Sequence, residues 1–292
     1  MKINAKTRKS HHYNEDRFII GNNFYIVIDG ATPLVKTGDR NLACFMVNYI
    51  KKHINKYQGR IKERLEQLSN DMFYELNIDS DDTSYLPSAS LAYVEEIDDY
   101  YHVGILGDCE VTFKTYDNEI IRCFTTELTK LDDISLSKQV EYAYKYNIHV
   151  IEARKYIQDM LIKHRKMINK NDGYFAYTLA KDYVLNEKEF KINKELVKEI
   201  YLYSDGFSQS FQHLKIYTSH QEMFKNDLNI NDEIDKIEKQ AYSDPYCDKY
   251  PRFKIIDDIT IIKIQNDSLF WFNKNLWILF GRSIFFFCRF ML

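Results

Sequence analysis

Five short acidic motifs recur along the chain: Asn14-Glu15-Asp16-Arg17-Phe18, Ile28-Asp29-Gly30-Ala31, Gly107-Asp108-Cys109, Ser204-Asp205-Gly206-Phe207 and Asp257-Asp258-Ile259-Thr260. Each abuts a β-branched or aromatic run, so each is expected to deliver a carboxylate at a strand end. Carboxylates gathered in that way repel one another unless cations lie between them, and all-oxygen donors suit Mg²⁺ or Mn²⁺. Asp29 follows Phe24-Tyr25-Ile26-Val27-Ile28 and precedes Gly30, where a small residue lets backbone approach a ligand closely. Asp205 repeats the arrangement after Tyr201-Leu202-Tyr203-Ser204, and Asp257 stands just before a final apolar run. Three such carboxylates suffice for two metals, which can share a water, acidify it and aim it in line at phosphorus. No G-x-S-x-G elbow, P-loop or H-E-x-x-H pair offers a competing chemistry. Taken singly, each motif reads as an ordinary turn or polar strand edge. The ordered set points to metal-dependent hydrolysis of phosphate esters.

The elements that must position these residues are legible from periodicity. Runs 17–20 and 24–28, separated by Gly21-Asn22-Asn23, predict a hairpin ending at Asp29. Leu42, Phe45, Met46, Tyr49 and Ile50 recur at helical spacing, as do Ile61, Leu65, Leu68, Met72 and Leu76. Apolar runs at 89–94, 101–106, 111–116 and 120–124 predict an antiparallel meander, with Gly107-Asp108 as one of its turns. Residues 131 to about 166 read as helical, 199–204 as a buried strand entering Asp205, 232–241 as a polar helix and 259–264 as the closing strand. The expected fold class is therefore α+β.

Composition bounds the rest. The 292 residues are 45% apolar and 15% aromatic, ample for a core. Forty basic against forty-three acidic residues leave a net charge of −3, so no global field recruits nucleic acid or an anionic membrane. Five widely spaced cysteines without a C-x-x-C pair argue against a disulfide framework or zinc ribbon, and fit a reducing cytoplasm. The basic start, Met1 to Lys6, meets no apolar stretch of the kind a secretory signal carries.

With these motifs assembled, the chain from about residue 8 to 265 resembles the type 2C family of metal-dependent protein serine/threonine phosphatases, in the short bacterial form with Asp29-Gly30-Ala31-Thr32. The resemblance implies an αββα sandwich of two antiparallel sheets flanked by helices. It further implies a phosphoprotein substrate and two Mn²⁺ or Mg²⁺ ions that activate water for direct attack on phosphoserine or phosphothreonine. By motif match, Asp29 would bridge the metals, Gly30 would offer its carbonyl, and Asp205 and Asp257 would complete the pair. Glu15 and Asp16 would hold metal-bound waters, and Asp108 would join Asp205 at a third, weaker metal. The chain departs from the pattern in two places. His11 stands where the family carries a phosphate-clamping arginine, so a titrating imidazole would meet the phosphate. Ala31-Thr32-Pro33 replaces the usual His-Gly-Gly. These departures keep two alternatives open: a catalytically reduced regulatory or phosphoprotein-binding module, and a small-molecule phosphatase.

Residues 1–266 are expected to form the phosphatase domain, and 267–292 an apolar C-terminal tail of separate role. The tail carries Leu269-Phe270-Trp271-Phe272, Trp277-Ile278-Leu279-Phe280 and Ile284-Phe285-Phe286-Phe287, yet Asn273, Lys274, Asn275, Arg282 and Arg289 interrupt it. A spanning helix needs about 20 mainly apolar residues, so a transmembrane anchor is a weaker expectation than interfacial attachment, docking on a partner and a read-through extension outside the native design taken together. Truncation after Asp267 should leave metal-dependent turnover unchanged and abolish any liposome binding, measured by assay and co-sedimentation.

Overall fold

The computed structural model describes residues 1–10, 12–35, 41–78 and 82–266. His11 and the apolar tail lie outside the described residues. In chain order the elements are β1 (Lys2–Arg8), β2 (Asp16–Ile20), β3 (Phe24–Ala31), α1 (Leu42–His53), α2 (Ile61–Glu75), β4 (Ser88–Ile97), β5 (Tyr100–Leu106), β6 (Glu110–Thr115) and β7 (Ile120–Cys123). There follow α3 (Glu127–Tyr146), α4 (Gln158–Arg165), β8 (Tyr177–Thr178), β9 (Lys188–Asn193), β10 (Val197–Tyr203), α5 (Asp205–Gln212), α6 (His220–Met223), α7 (Ile230–Tyr242) and β11 (Ile259–Gln265).

Two antiparallel sheets result, one ordered β1-β11-β10-β6-β7 and the other β2-β3-β4-β5-β9, with β8 pairing β4. Side chains alternate across each strand, so one row faces the other sheet and the next row faces helices. Tyr25 and Val27 of β3, Ala92 and Val94 of β4, Phe113 of β6, Leu202 of β10 and Ile262 of β11 fill the space between the sheets. The intervening residues Ile26, Ile28 and Leu91 pack on Met46, Val47 and Ile50 of α1 and Leu65 and Leu68 of α2. On the opposite side Tyr201, Tyr203 and Ile261 pack on Phe207 of α5 and on Ile234 and Ile237 of α7. The expected αββα layering is thus present.

Helix limits follow local chemistry. The Asn41 side chain accepts from Cys44 N at 2.7 Å and caps α1, whose last turn carries Lys51, Lys52 and His53 where cations suit the dipole. Asn147 ends α3 in the left-handed conformation, with φ 50°.

Three expectations need correction. The strands of residues 88–123 are not one meander: β4 pairs β5 and β6 pairs β7, but β5 and β6 belong to different sheets. The chain changes sheet at Gly107-Asp108, where Gly107 has φ 69° and a Cβ would lie 2.0 Å from Ser90 Oγ. Asp29 does not end its strand, since β3 continues to Ala31 and Asp29 pairs with both Asp16 and Ser90. Finally, β1 was not expected from its polar sequence, yet it pairs along β11 from Lys2↔Gln265 to Arg8↔Ile259.

The first turn of α5 is wedged against the approach to β11. A Cβ on Gly206 would stand 1.9 Å from the Asp258 carbonyl oxygen, a backbone atom that a side-chain rotation cannot relieve. Gly206→Ala should therefore destabilise the protein by about 1–3 kcal/mol, the usual cost of overpacking, as read from urea unfolding.

Candidate active site

The inward-facing rows that form the inter-sheet core change character at one end. Continuing the alternation from Tyr25 and Val27 brings Asp29 inward; continuing from Ala92 and Val94 brings Ser90, and from Leu202, Ser204. Asp16 lies opposite Asp29 across β2 and β3 and is 1% exposed. Ser204 Oγ donates to Asp16 Oδ2 at 2.7 Å and accepts from Thr260 N at 3.1 Å, so this polar edge ties one sheet to the other. Asp205 follows as the first residue of α5. Asp108 sits at the crossover between sheets, its N–H donating to Ser90 Oγ at 3.2 Å.

Crowding governs the electrostatics. Desolvation, reinforced by neighbouring carboxylates, holds the Asp16, Asp29 and Asp205 carboxyls well above the usual range. Burial also raises Asp108, against hydrogen bonds that favour its ionised form. Asp205 Oδ1 is buried without any hydrogen-bond donor. Cys109, fully buried behind this cluster, has its thiol pushed far up by burial and by the charge of Asp29 and Asp108, which makes it packing material rather than a reactive thiolate.

The two aspartates of the last motif have separate tasks. Asp258 Oδ1 accepts from Ser10 N at 2.7 Å and Ser10 Oγ at 2.9 Å, and its Oδ2 accepts from Glu15 N at 2.6 Å. It therefore clamps the N-terminal segment to the closing strand. Asp257 is gripped by Lys254, whose Nζ donates to Oδ1 at 2.8 Å and Oδ2 at 2.6 Å. Glu15 is held by Asn41 Nδ2 at 2.6 Å and by the Thr32 hydroxyl, which anchors the loop after Gly30.

Asp29, Gly30, Asp108, Asp205 and Asp257, with Glu15, line one cleft of about 540 Å³. Asp16 is beneath it rather than on its wall. The far wall supplies what motif reading missed: Asp132 from α3, Arg154 from the 3₁₀ turn Ile151–Ile157, Arg165 from α4, and Lys254. Burial, with Asp108 and Asp133 nearby, lifts the Asp132 carboxyl to about 7 although Arg154 and Arg165 pull it down. Arg154 stacks its guanidinium 5.4 Å from the Phe253 ring centre, and Arg165 Nη1 donates to Ser88 Oγ at 2.7 Å. Arg165 ends α4, where a cation also suits the helix dipole, and it lies in the cleft. Its neighbour His164 also borders the cleft, and its Nδ1 meets Ser135 Oγ at 3.0 Å between α3 and α4. Only the sign and spacing of these residues were visible beforehand, and neither tells which way a loop faces.

A divalent cation fits this donor set. The donors are hard oxygens, they crowd one another, and Asp205 Oδ1 is buried with no hydrogen-bond donor. Among the described residues, no three Asp, Glu, His or Cys side chains already converge as a ligand set.

No protein-family model matches the chain, and no curated protein sequence matches it. Solved structures do. A serine/threonine phosphatase from Staphylococcus aureus superposes with TM-score 0.52 at 12% identity, over 91% of this chain and 95% of that one. The Mycobacterium tuberculosis serine/threonine phosphatase PstP gives 0.52 at 10% identity, over 91% and 98%. The catalytic domain of PstP in complex with two manganese ions gives 0.51 at 11% identity, over 90% and 96%. The chain thus has the fold of bacterial serine/threonine phosphatases, as the motif resemblance implied. Among the described residues no helix is long and apolar enough to cross a membrane.

The raised carboxyls make a signed prediction. An unfolded Asp titrates near 3.8, so protonation stabilises the folded, metal-free protein fully below that value, and this stability is lost as pH rises through the elevated folded values. In chelator at pH 8, Asp29→Asn should melt about 2–4 °C above the parent, the shift that ~1 kcal/mol produces in a domain of 150–250 residues. The gap should close toward pH 5. Calorimetry at both pH values checks this, and equal gaps would remove Asp29 from the repelling cluster.

Proposed function

We propose that this chain is a metal-dependent phosphoprotein phosphatase acting on phosphoserine or phosphothreonine, with residues 1–266 as its catalytic unit. The observation that carries the reading is the conversion of the inter-sheet core, at one end, into a cluster of buried carboxylates that no described side chain fully neutralises. That cluster faces a basic cleft wall. Proteins have little reason to collect Asp16, Asp29, Asp108 and Asp205 at such cost unless cations are their partners. The fold shared with bacterial serine/threonine phosphatases, one of them crystallised with two manganese ions, supports the same conclusion.

Asp29, Asp205, Asp257 and the Gly30 carbonyl would hold two Mn²⁺ or Mg²⁺ ions, and Asp108 with Asp205 a third. When bound, such ions supply a water acidified enough to attack phosphorus. The chain's own residues do the rest. Asp16, beneath the cleft, accepts the Ser204 hydroxyl and fixes the seam on which Asp29 and Asp205 stand. Glu15 restrains the Thr32 loop beside Gly30. Arg154 and Arg165 offer cationic donors to an incoming phosphate dianion, a task that fell to His11 in the motif reading. Asp132, near neutrality in its titration, is suited to pass a proton to the departing serine or threonine oxygen.

Purified protein should hydrolyse a phosphothreonine peptide with Mn²⁺ and lose that activity in chelator. Asp205→Asn should lower kcat by roughly 100-fold or more, beyond the 10–100-fold typical of partners outside a ligand set. Turnover unchanged by confirmed metal removal would overturn the reading. Arg154→Ala should chiefly raise KM for the peptide, since it removes a contact present before the chemical step.

A further inference from the structure

Arg154 reaches the cleft from a segment that needs outside support. The 3₁₀ turn Ile151–Ile157 runs for seven residues without a side-chain cap, whereas 3₁₀ runs beyond about four residues are uncommon because their hydrogen bonds are poorly aligned. The backbone donors at its start are met from another loop. Asp248 Oδ1 accepts from Val150 N at 2.9 Å, and the Tyr246 carbonyl accepts from Ile151 N at 3.2 Å. Asp248 Oδ2 meets His149 Nδ1 at 2.6 Å, and the His149 ring stacks on Tyr246 with centres 3.9 Å apart. Cys247 packs with Val150 and Ala153 in a small buried cluster. The supplying loop is itself tied down: Asp244 accepts from Asp248 N at 3.1 Å and from the buried Arg252 at 3.0 Å. The next residue, Phe253, is the ring on which Arg154 stacks.

We propose that Asp248 is a positioning residue: with His149 and Tyr246 it latches the 3₁₀ turn, so that Arg154 stays in the cleft to meet the substrate phosphate. The inference rests on the phosphatase reading above and concerns what holds its phosphate contact in place. Among the described residues Arg154 makes no hydrogen bond or ion pair, and its guanidinium only stacks on Phe253. Burial lowers its pKa against the attraction of Asp257 and Asp132, as for a cation taken from water without a close partner. Such a side chain gains hydration and rotamer freedom by swinging outward, so the backbone beneath it must be fixed if its donors are to wait for an anion. Asp248 does this with one carboxylate, which takes a backbone N–H and a side chain at the entry to the turn. Its side chain is 47% exposed, so removing it undoes the latch without opening the core.

The test compares variants of the full chain on the phosphothreonine peptide with Mn²⁺. Asp248→Ala should raise KM about fivefold, with kcat within about twofold of the parent, the pattern of a lost ground-state contact. Asp248→Asn keeps an oxygen for Val150 N and should hold KM within about twofold of the parent. In the Arg154→Ala background Asp248→Ala should add nothing to KM, because both changes remove the same contact. Without metal or substrate, hydrogen exchange at residues 149–157 should be faster in Asp248→Ala while the strands keep the parent's protection. An unchanged KM in Asp248→Ala, a rise by the same factor with and without Arg154, or parental exchange at 149–157 would overturn this proposal and leave the phosphatase reading standing. Absence of metal-dependent turnover in the parent would overturn both.

Discussion

Mutual repulsion of carboxylates at one end of the sandwich is the constraint around which the remainder is arranged. Burying one unpaired acid in a protein is expensive, and burying several within reach of one another multiplies the cost. The chain meets that cost in three ways. It keeps Asp16 protonation-prone and satisfied by Ser204. It spends Asp258 on backbone and hydroxyl donors from Ser10 and Glu15. It sets Lys254 against Asp257. What these devices leave over is the crowding of Asp29 and Asp205.

The rest of the sandwich supplies rigidity for this edge. Two layers of alternating side chains hold the strands in register, so a carboxylate at the end of an inward row has its position fixed by the apolar residues before it. Tyr25 and Val27 aim Asp29; Leu202 aims Ser204 and thereby the start of α5. Preorganisation of that kind lets a site tolerate internal repulsion without collapsing, because relieving the repulsion would mean sliding a whole strand.

Much of this was legible in the chain. Runs such as Phe24-Tyr25-Ile26-Val27-Ile28 and Ile259-Thr260-Ile261-Ile262 declare buried strands by β-branching alone, and the spacing of Leu65, Leu68 and Met72 declares a helix. The motif aspartates were identifiable because each follows such a run. What escaped was whatever depends on partners distant in sequence. Strand β1, Lys-Ile-Asn-Ala-Lys-Thr-Arg, is too polar to read as a strand until β11 is laid beside it. The sheet change at Gly107-Asp108 looks like a hairpin turn because a turn and a crossover use the same residues. Arg154, Arg165 and Asp132 belong to a segment whose periodicity gives a helix but not its facing.

The pairing of β1 with β11 also has a consequence for biosynthesis. Thr7 and Thr260 meet through their hydroxyls across 253 positions of chain, and the Asp258 clamp on Ser10 and Glu15 closes over a similar span. Contacts so remote form late, after the entropy of closing so long a loop has been met. On the ribosome, β2 to β5 can pair early, yet the seam between the sheets must wait for the last strand to emerge. A nascent chain that lacks β11 therefore holds Asp29 without Asp257 opposite it, and the carboxylate cluster is incomplete until residue 258 has been added.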